Sequence, residues 1–345
     1  MARSFTLLTA MPPTTGHLQL IQFSHLMADE GTVVIVSTQP HEPFPYERVA
    51  ALREAVKNRG MKNVRIKHFH KTIPQDPATP GFWDMWHDIL TGYGLKPTDN
   101  IVCSMEYGKK LAEITGATFY PYDIDRFINS AKATPIRENP HDHFHHIIPE
   151  FQRYLRVTVT LFGAESTGKT TLSKALAEKL NGYFLFEYAR PYLEYTDPTI
   201  TRESMTAIWK GQAALQRQAE NLHNRPFIIQ DTDLWSTAGY WQFPEWTPTI
   251  GKCPEGLITE ARQLQSDLYL VTKSNIPFEE DPIRYGGDHR EGSDEFWLDI
   301  CHKYELPYVV LDSDNHEDRM QQAMNAIFEV AKQKAAKMSF DRHGL

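Results

Sequence analysis

At 345 residues the chain exceeds the usual size of one compact core, and its 41% hydrophobic and 23% charged content is that of a globular protein, not a disordered or fibrous one. A net charge of −8 argues against nonspecific nucleic-acid binding, which needs a basic footprint, while leaving local anion sites open. No apolar run reaches the roughly eighteen residues of a membrane span. The N-terminus carries no secretory-type block, and three scattered cysteines (Cys103, Cys253, Cys301) form neither a disulfide framework nor a metal knuckle. The expectation is a cytoplasmic protein, with a homo-oligomer compatible with these numbers.

The first strand is expected at residues 4–10, followed by a turn rich in Pro and Thr and a helix over 16–28. Residues 32–37, with Val-Val-Ile-Val at their centre, read as a buried parallel-type strand. A helix over 46–58, a strand over 64–68, a helix over 82–90, a strand over 100–104, a helix over 106–115 and a short strand over 117–120 complete the first half. Strands alternating with helices imply a doubly wound parallel sheet. Residues 139–155, with Pro140, Pro149 and the histidines His141, His143, His145 and His146, read as a linker. They lack paired Cys or helical His spacing, so a solvated linker is favoured over a metal site.

A second unit of the same type follows, giving an α/β fold of two doubly wound domains, 1–154 and 155–345. Strands are expected at 157–162, 183–186, 227–230, 268–272 and 308–311, with helices over 169–180, 202–223 and 316–334.

The most specific signal is Gly163-Ala164-Glu165-Ser166-Thr167-Gly168-Lys169-Thr170, a full match to G-x-x-x-x-G-K-[ST] between an apolar strand and a helix. The glycines permit a tight turn whose N–H groups converge on phosphate oxygens. Lys169 is then expected on the ATP β- and γ-phosphates and Thr170 on Mg²⁺, with Thr171 following in the helix. The strand at 183–186 runs into Glu187-Tyr188, so Glu187 is the candidate to take a substrate hydroxyl proton, with Tyr188 beside the substrate. The strand at 227–230 ends in Asp231-Thr232-Asp233. One aspartate there is expected to hold Mg²⁺ (Asp231) and the other to bind substrate (Asp233). A polar segment from 278 to 290 resembles a lid, with Arg284 and Arg290 as cations for the transferring phosphoryl group.

In the first half, Thr14-Thr15-Gly16-His17 follows strand one and opens a helix. It resembles the [HT]-x-G-H signature of the nucleotidyltransferase superfamily. In that chemistry a nucleophilic phosphate attacks the α-phosphorus of ATP and expels pyrophosphate, so positioning and charge neutralisation do the work. Thr14, Gly16 and His17 would bind the triphosphate, with His17 donating to it.

Further motifs occur in order: Pro43-Phe44-Pro45-Tyr46-Glu47-Arg48, Ser104-Met105-Glu106-Tyr107-Gly108, Asp123-Ile124-Asp125-Arg126 and Ala133-Thr134-Pro135-Ile136-Arg137-Glu138-Asn139-Pro140. With Glu187-Tyr188 and Asp231-Thr232-Asp233, they resemble the NadR-type bifunctional family over roughly residues 4–330. Its members join nicotinamide mononucleotide adenylyltransferase to ribosylnicotinamide kinase. The resemblance implies phosphorylation of nicotinamide riboside to the mononucleotide, then adenylation of the mononucleotide to NAD, both with MgATP. It places Thr134 and Arg137 on the triphosphate, Arg48 at the substrate, and Trp83 or Trp86 on the nicotinamide ring through cation–π attraction.

Three positions depart from the family pattern. Leu8-Thr9-Ala10 replaces the usual G-K-F, Thr14 stands for a first histidine, and Lys132 stands for a serine, with Ser130 nearby. Some relatives carry an N-terminal helix-turn-helix. Here the first catalytic strand opens the chain, so no DNA-binding module is expected. Two other readings stay open: a front half acting on another nucleotide, and a kinase whose front half is a non-catalytic nucleotide sensor.

Overall fold

The computed structural model describes residues 1–129, 133–278 and 292–338. The chain divides into two compact units, one of Met1–Leu155 joined by the chain from Ala335 onward, the other of Arg156–Lys334. This corrects the expected division at two places. Leu155 groups with the first unit, and so does the C-terminal end, where Met338 is fully buried in the core with Ile147, Ile148 and Phe151.

The first unit runs β1 (Arg3–Leu8), α1 (Thr15–Leu26), β2 (Gly31–Thr38), α2 (Pro45–Asn58), β3 (Val64–His70), α3 (Phe82–Gly92), β4 (Asn100–Cys103), α4 (Tyr107–Thr115), β5 (Thr118–Pro121), α5 (Ala133–Glu138) and α6 (Pro149–Gln152). Its strands form one five-stranded sheet in the order β3-β2-β1-β4-β5, every pair parallel. Side chains alternate across the sheet. Val34 and Val36 join one core layer with Leu20, Leu52 and Phe151, and Val33 and Ile35 join the opposite layer with Trp86, Leu90 and Leu111. β1 stops at Leu8, short of the expected residue 10: Ala10 turns to φ 46°, and the Thr9 carbonyl accepts from Arg48 Nη1 at 3.2 Å.

The second unit runs β6 (Val157–Phe162), α7 (Lys169–Lys179), β7 (Tyr183–Leu185), α8 (Ala189–Tyr195), α9 (Arg202–Glu220), β8 (Phe227–Gln230), α10 (Leu234–Trp241), α11 (Thr247–Ile250), α12 (Glu255–Gln263), β9 (Leu268–Thr272), α13 (Ser293–Tyr304), β10 (Tyr308–Leu311) and α14 (His316–Ala336), the last belonging to this unit as far as Lys334. The sheet order is β10-β9-β6-β8-β7, again parallel throughout. Both sheets are buried on two faces, as βαβ crossovers require, which is why their strands read as near-continuous apolar runs.

In both sheets the strand order reverses beside the first strand. The chain leaves β1 toward β2 and returns to β4, and it leaves β6 toward β7 and β8 and returns to β9. Such switch points open a crevice at the carboxyl ends of the strands, where ligands of this architecture bind. Thr14–His17 lies beyond one of those ends and Gly163–Thr170 beyond the other. Among the described residues, no helix is long and apolar enough to cross a membrane.

Candidate active sites

The loop after β6 is shaped by backbone crowding. Gly163 has φ +127°, and a Cβ there would stand 2.6 Å from the Thr272 carbonyl, so only glycine fits. Thr167 is buried and spends its hydroxyl inside the loop, donating to Ala164 O at 2.9 Å and meeting Thr272 Oγ1 at 2.7 Å. Gly168 caps α7, and Lys169 Nζ turns to the Gly163 carbonyl at 3.0 Å. Thr170 Oγ1 donates to Asp231 Oδ2 at 2.7 Å. The buried Asp231 Oδ1 has no hydrogen-bond partner among the described residues. Burial pushes the Asp231 carboxyl up, although Thr170, Lys169 and Lys174 oppose the shift.

These groups open on one cleft of about 600 Å³. Glu165, Ser166, Thr167, Gly168, Lys169, Thr170 and Thr171 form one end, with Glu187, Arg190 and Asp231 beside them. Desolvation, reinforced by the Asp231 charge, raises the Glu187 carboxyl to about 7. The lining also includes the apolar side chains of Leu193, Met205 and Ile208 and the rings of Tyr240 and Trp246, which stack with centroids 5.3 Å apart. Arg319, a residue with no motif to flag it, is 3% exposed and donates through Nη1 to Thr167 O at 2.8 Å, fastening α14 to the phosphate loop.

Two expected substrate residues are corrected here. Asp233 is 1% exposed and caps α10: its Oδ1 accepts from Ser236 N–H at 3.1 Å and its Oδ2 from Tyr269 Oη at 2.6 Å. A carboxylate so enclosed serves the helix start, and burial lifts it to about 6. Tyr188 turns away from the cleft and packs its ring on Gly211 of α9. Arg284 and Arg290 lie outside the described residues.

In the first unit, Thr14 is the N-cap of α1 in a reciprocal capping box with His17. The Thr14 N–H donates to His17 Nδ1 at 3.0 Å, and Thr14 Oγ1 lies 2.7 Å from the same nitrogen. With Nδ1 accepting, the pattern assigns the ring proton to Nε2. Burial, helped by the charges of Arg126 and Arg48, lowers the His17 pKa to about 4, so the ring is a neutral donor at physiological pH. Thr14 therefore orients His17, where the sequence suggested a direct phosphate contact.

Arg137 on α5 reaches back to the Met11 carbonyl at 3.3 Å and to Thr134 Oγ1 at 3.1 Å, bringing that pair to the carboxyl end of β1. Asn129, which no motif singled out, bonds Thr15 Oγ1 at 3.3 Å and Gln19 Oε1 at 3.1 Å, and so lies over Gly16. Arg48 is another correction to a substrate role. It is fully buried, pairs with Glu42 at 2.5 Å and holds the Thr9 carbonyl, so its charge acts through the site wall. The two tryptophans of α3 separate. Trp86 is 7% exposed and packs on Phe69 and Phe82, while Trp83 is only partly buried at the edge of the same core, against Phe82. In the linker, His141 Nε2 meets the Leu155 carbonyl at 2.9 Å, and among the described residues no three His, Cys, Asp or Glu side chains are arranged to hold a metal.

Comparison with known proteins finds relatives that span both units. Residues 158–319 match the family described as AAA domain. Over 92% of its length the chain is 25% identical to the trifunctional NAD biosynthesis/regulator protein NadR of Escherichia coli strain K12, covering 81% of that protein. It is a homologue of NadR. The NadR of Salmonella typhimurium strain LT2 matches at 24% identity over the same shares of the two chains. The NadR fold is shared as well: a crystal structure of NadR protein in complex with NR matches with a TM-score of 0.65 at 24% identity, covering 96% of each chain. A NadR structure in complex with NAD and AMP-PNP matches equally.

Proposed function

We propose that the chain is a two-site enzyme of NAD synthesis, a ribosylnicotinamide kinase in the second unit and a nicotinamide mononucleotide adenylyltransferase in the first. The observation that carries the reading is the second unit's cleft. It joins a phosphate loop, the Thr170 hydroxyl bonded to the buried Asp231 and the Glu187 carboxyl to an aromatic wall of Tyr240 on Trp246. Its volume suits a small molecule beside nucleotide phosphates, and its aromatic face suits a cationic pyridinium, a contact worth about 0.5–2 kcal/mol. The relatives named NadR, one of them seen with NR and another with NAD and AMP-PNP, agree with that chemistry.

In the kinase step the riboside hydroxyl oxygen attacks the γ-phosphorus of ATP, the bond to ADP breaks, and the proton passes to Glu187. A carboxyl near pKa 7 is suited to accept it. The loop amides and Lys169 hold the phosphates. Bound with ATP, Mg²⁺ would supply neutralisation of the phosphate charge. Thr170 and Asp231 would hold it, and the unpartnered, buried Asp231 Oδ1 fits that duty.

In the adenylyl step the mononucleotide phosphate attacks the α-phosphorus and pyrophosphate leaves, with no protein nucleophile needed. His17 Nε2–H, held by Thr14, donates to the phosphate, with Thr134 and Arg137 beside it at the end of β1. Trp83 is the indole left to border the nicotinamide ring.

The test is product analysis with MgATP. Wild type is expected to convert the riboside to the mononucleotide, and the mononucleotide to NAD with release of pyrophosphate. Lys169→Ala should lower the first activity on the order of 100-fold and spare the second, and His17→Ala should do the reverse. Nucleotide binding by the first unit without turnover would make it a sensor, and loss of both activities in either folded variant would exclude two independent sites.

A further inference from the structure

Two carboxylates must stand at a fixed spacing in the kinase cleft, yet they sit on separate strand exits. Glu187 follows β7 and Asp231 follows β8. The ladder between these strands ends at Leu185 opposite Gln230, with one more bond from Asp231 N–H to Leu185 O at 2.9 Å. Past that bond the two segments are joined through a side chain of α9. Gln212 Oε1 accepts from Tyr188 N–H at 2.9 Å, and Gln212 Nε2 donates to Thr232 O at 3.2 Å.

Each bonded residue directly follows one of the two carboxylates. The amide is 1% exposed, lines the cleft, and has its acceptor and donor sides committed one to each strand exit. The neighbouring residue completes the clamp. Tyr188 lies across Gly211, and a Cβ on Gly211 would stand 2.0 Å from Tyr188 Cε1, so any other residue would force the Tyr188 ring out of its place and strain the segment that carries it. An amide can span an N–H and a C=O at once, which no carboxylate or apolar side chain of this size does.

We propose that Gln212 is a positioning residue that sets the spacing of Glu187 and Asp231 for phosphoryl transfer, with Gly211 admitting the ring that keeps the segment in place. The inference rests on the kinase reading of this cleft. Gln212 touches neither reacting atom. It acts through the two backbone segments that carry the carboxylates. A displacement near 1 Å at such a site reduces turnover on the order of 100-fold while leaving binding to the phosphate loop intact.

Gln216, one turn along α9, supplies the control. It is 6% exposed and makes the same two kinds of bond, accepting from Leu234 N–H at 3.1 Å and donating to Leu264 O at 3.1 Å, without lining the cleft. Steady-state turnover of MgATP should be measured for Gln212→Met, Gly211→Ala and Gln216→Met, with nicotinamide riboside and with water as acceptor, alongside thermal midpoints. Gln212→Met and Gly211→Ala should lower kcat at least tenfold with KM for MgATP within about twofold of wild type. Gln216→Met should lose stability and keep kcat. Wild-type kcat in folded Gln212→Met, or an equal kcat loss in Gln216→Met, overturns the proposal. If wild type does not phosphorylate the riboside, the substrate reading fails, and the same comparison on MgATP hydrolysis still decides the role of Gln212. Should Gln212→Met not fold, Gly211→Ala reads the same spacing from the Tyr188 side, and unchanged kcat there overturns it equally.

Discussion

Thr14→Ala separates the structural and chemical duties of a residue that does both. The hydroxyl caps α1 by accepting from His17 N–H at 3.4 Å, and it lies 2.7 Å from His17 Nδ1. Losing an N-cap threonine costs about 1 kcal/mol of stability. The ring then keeps one anchor, the Thr14 N–H at 3.0 Å. A single hydrogen bond is worth about 0.5–1.5 kcal/mol, so the correctly oriented ring should become roughly 2- to 13-fold less populated. NAD formation from the mononucleotide should fall by about that factor in kcat/KM, against roughly 100-fold or more for His17→Ala, which removes the donor itself. Thr14→Ser keeps the oxygen and should stay within about twofold of wild type. The assay is NAD production followed continuously through a coupled dehydrogenase, with urea unfolding in parallel and riboside kinase activity as internal control. If Thr14→Ala loses stability but not adenylylation, Thr14 is a cap and nothing more. If Ser and Ala lose activity equally, the hydroxyl does not orient the ring.

With Glu187 raised to about 7, kinase kcat/KM should climb through that pH as the carboxylate forms, and Glu187→Gln should be slow and lack the climb; persistence of the limb in the variant assigns it to another group. Asp231→Asn should depress kinase kcat roughly 100-fold with a smaller change in KM for ATP, and the opposite split moves Asp231 out of the reacting centre. Trp83→Leu should weaken mononucleotide binding about 2- to 30-fold in calorimetry, whereas Trp86→Leu, in the core, should cost roughly 2–4 kcal/mol of stability; the reverse pattern would exchange their roles.

Much of this protein follows from local signals. A parallel strand covered on both faces is dominated by β-branched and other apolar residues, which is why 32–37 and 157–162 were readable as strands and why βαβ alternation gave two doubly wound sheets. The phosphate loop was readable because its backbone geometry restricts the residues that can form it, as the contact between Gly163 and the Thr272 carbonyl shows. The capping box of Thr14 and His17 is likewise written within four residues, a spacing that the sequence equally offers to a phosphate.

Which of several similar residues faces a ligand was decided only by the tertiary structure, because that depends on partners distant in sequence. Asp231 and Asp233 are alike on paper, yet Tyr269, from β9 on the other side of β6, claims Asp233, and Thr170 of the phosphate loop claims Asp231. Trp83 and Trp86 sit on one helix, and the packing of Phe69 against Trp86 sorts them. Arg48 matched a substrate motif, but Glu42 and the Thr9 carbonyl hold it inside the wall. The aromatic wall of Tyr240 and Trp246 and the bridge made by Gln212 had no motif at all. Each is a side chain whose role exists only once α9, α10 and the exits of β7 and β8 are brought within hydrogen-bond or stacking distance, and a sequence pattern records no such distances.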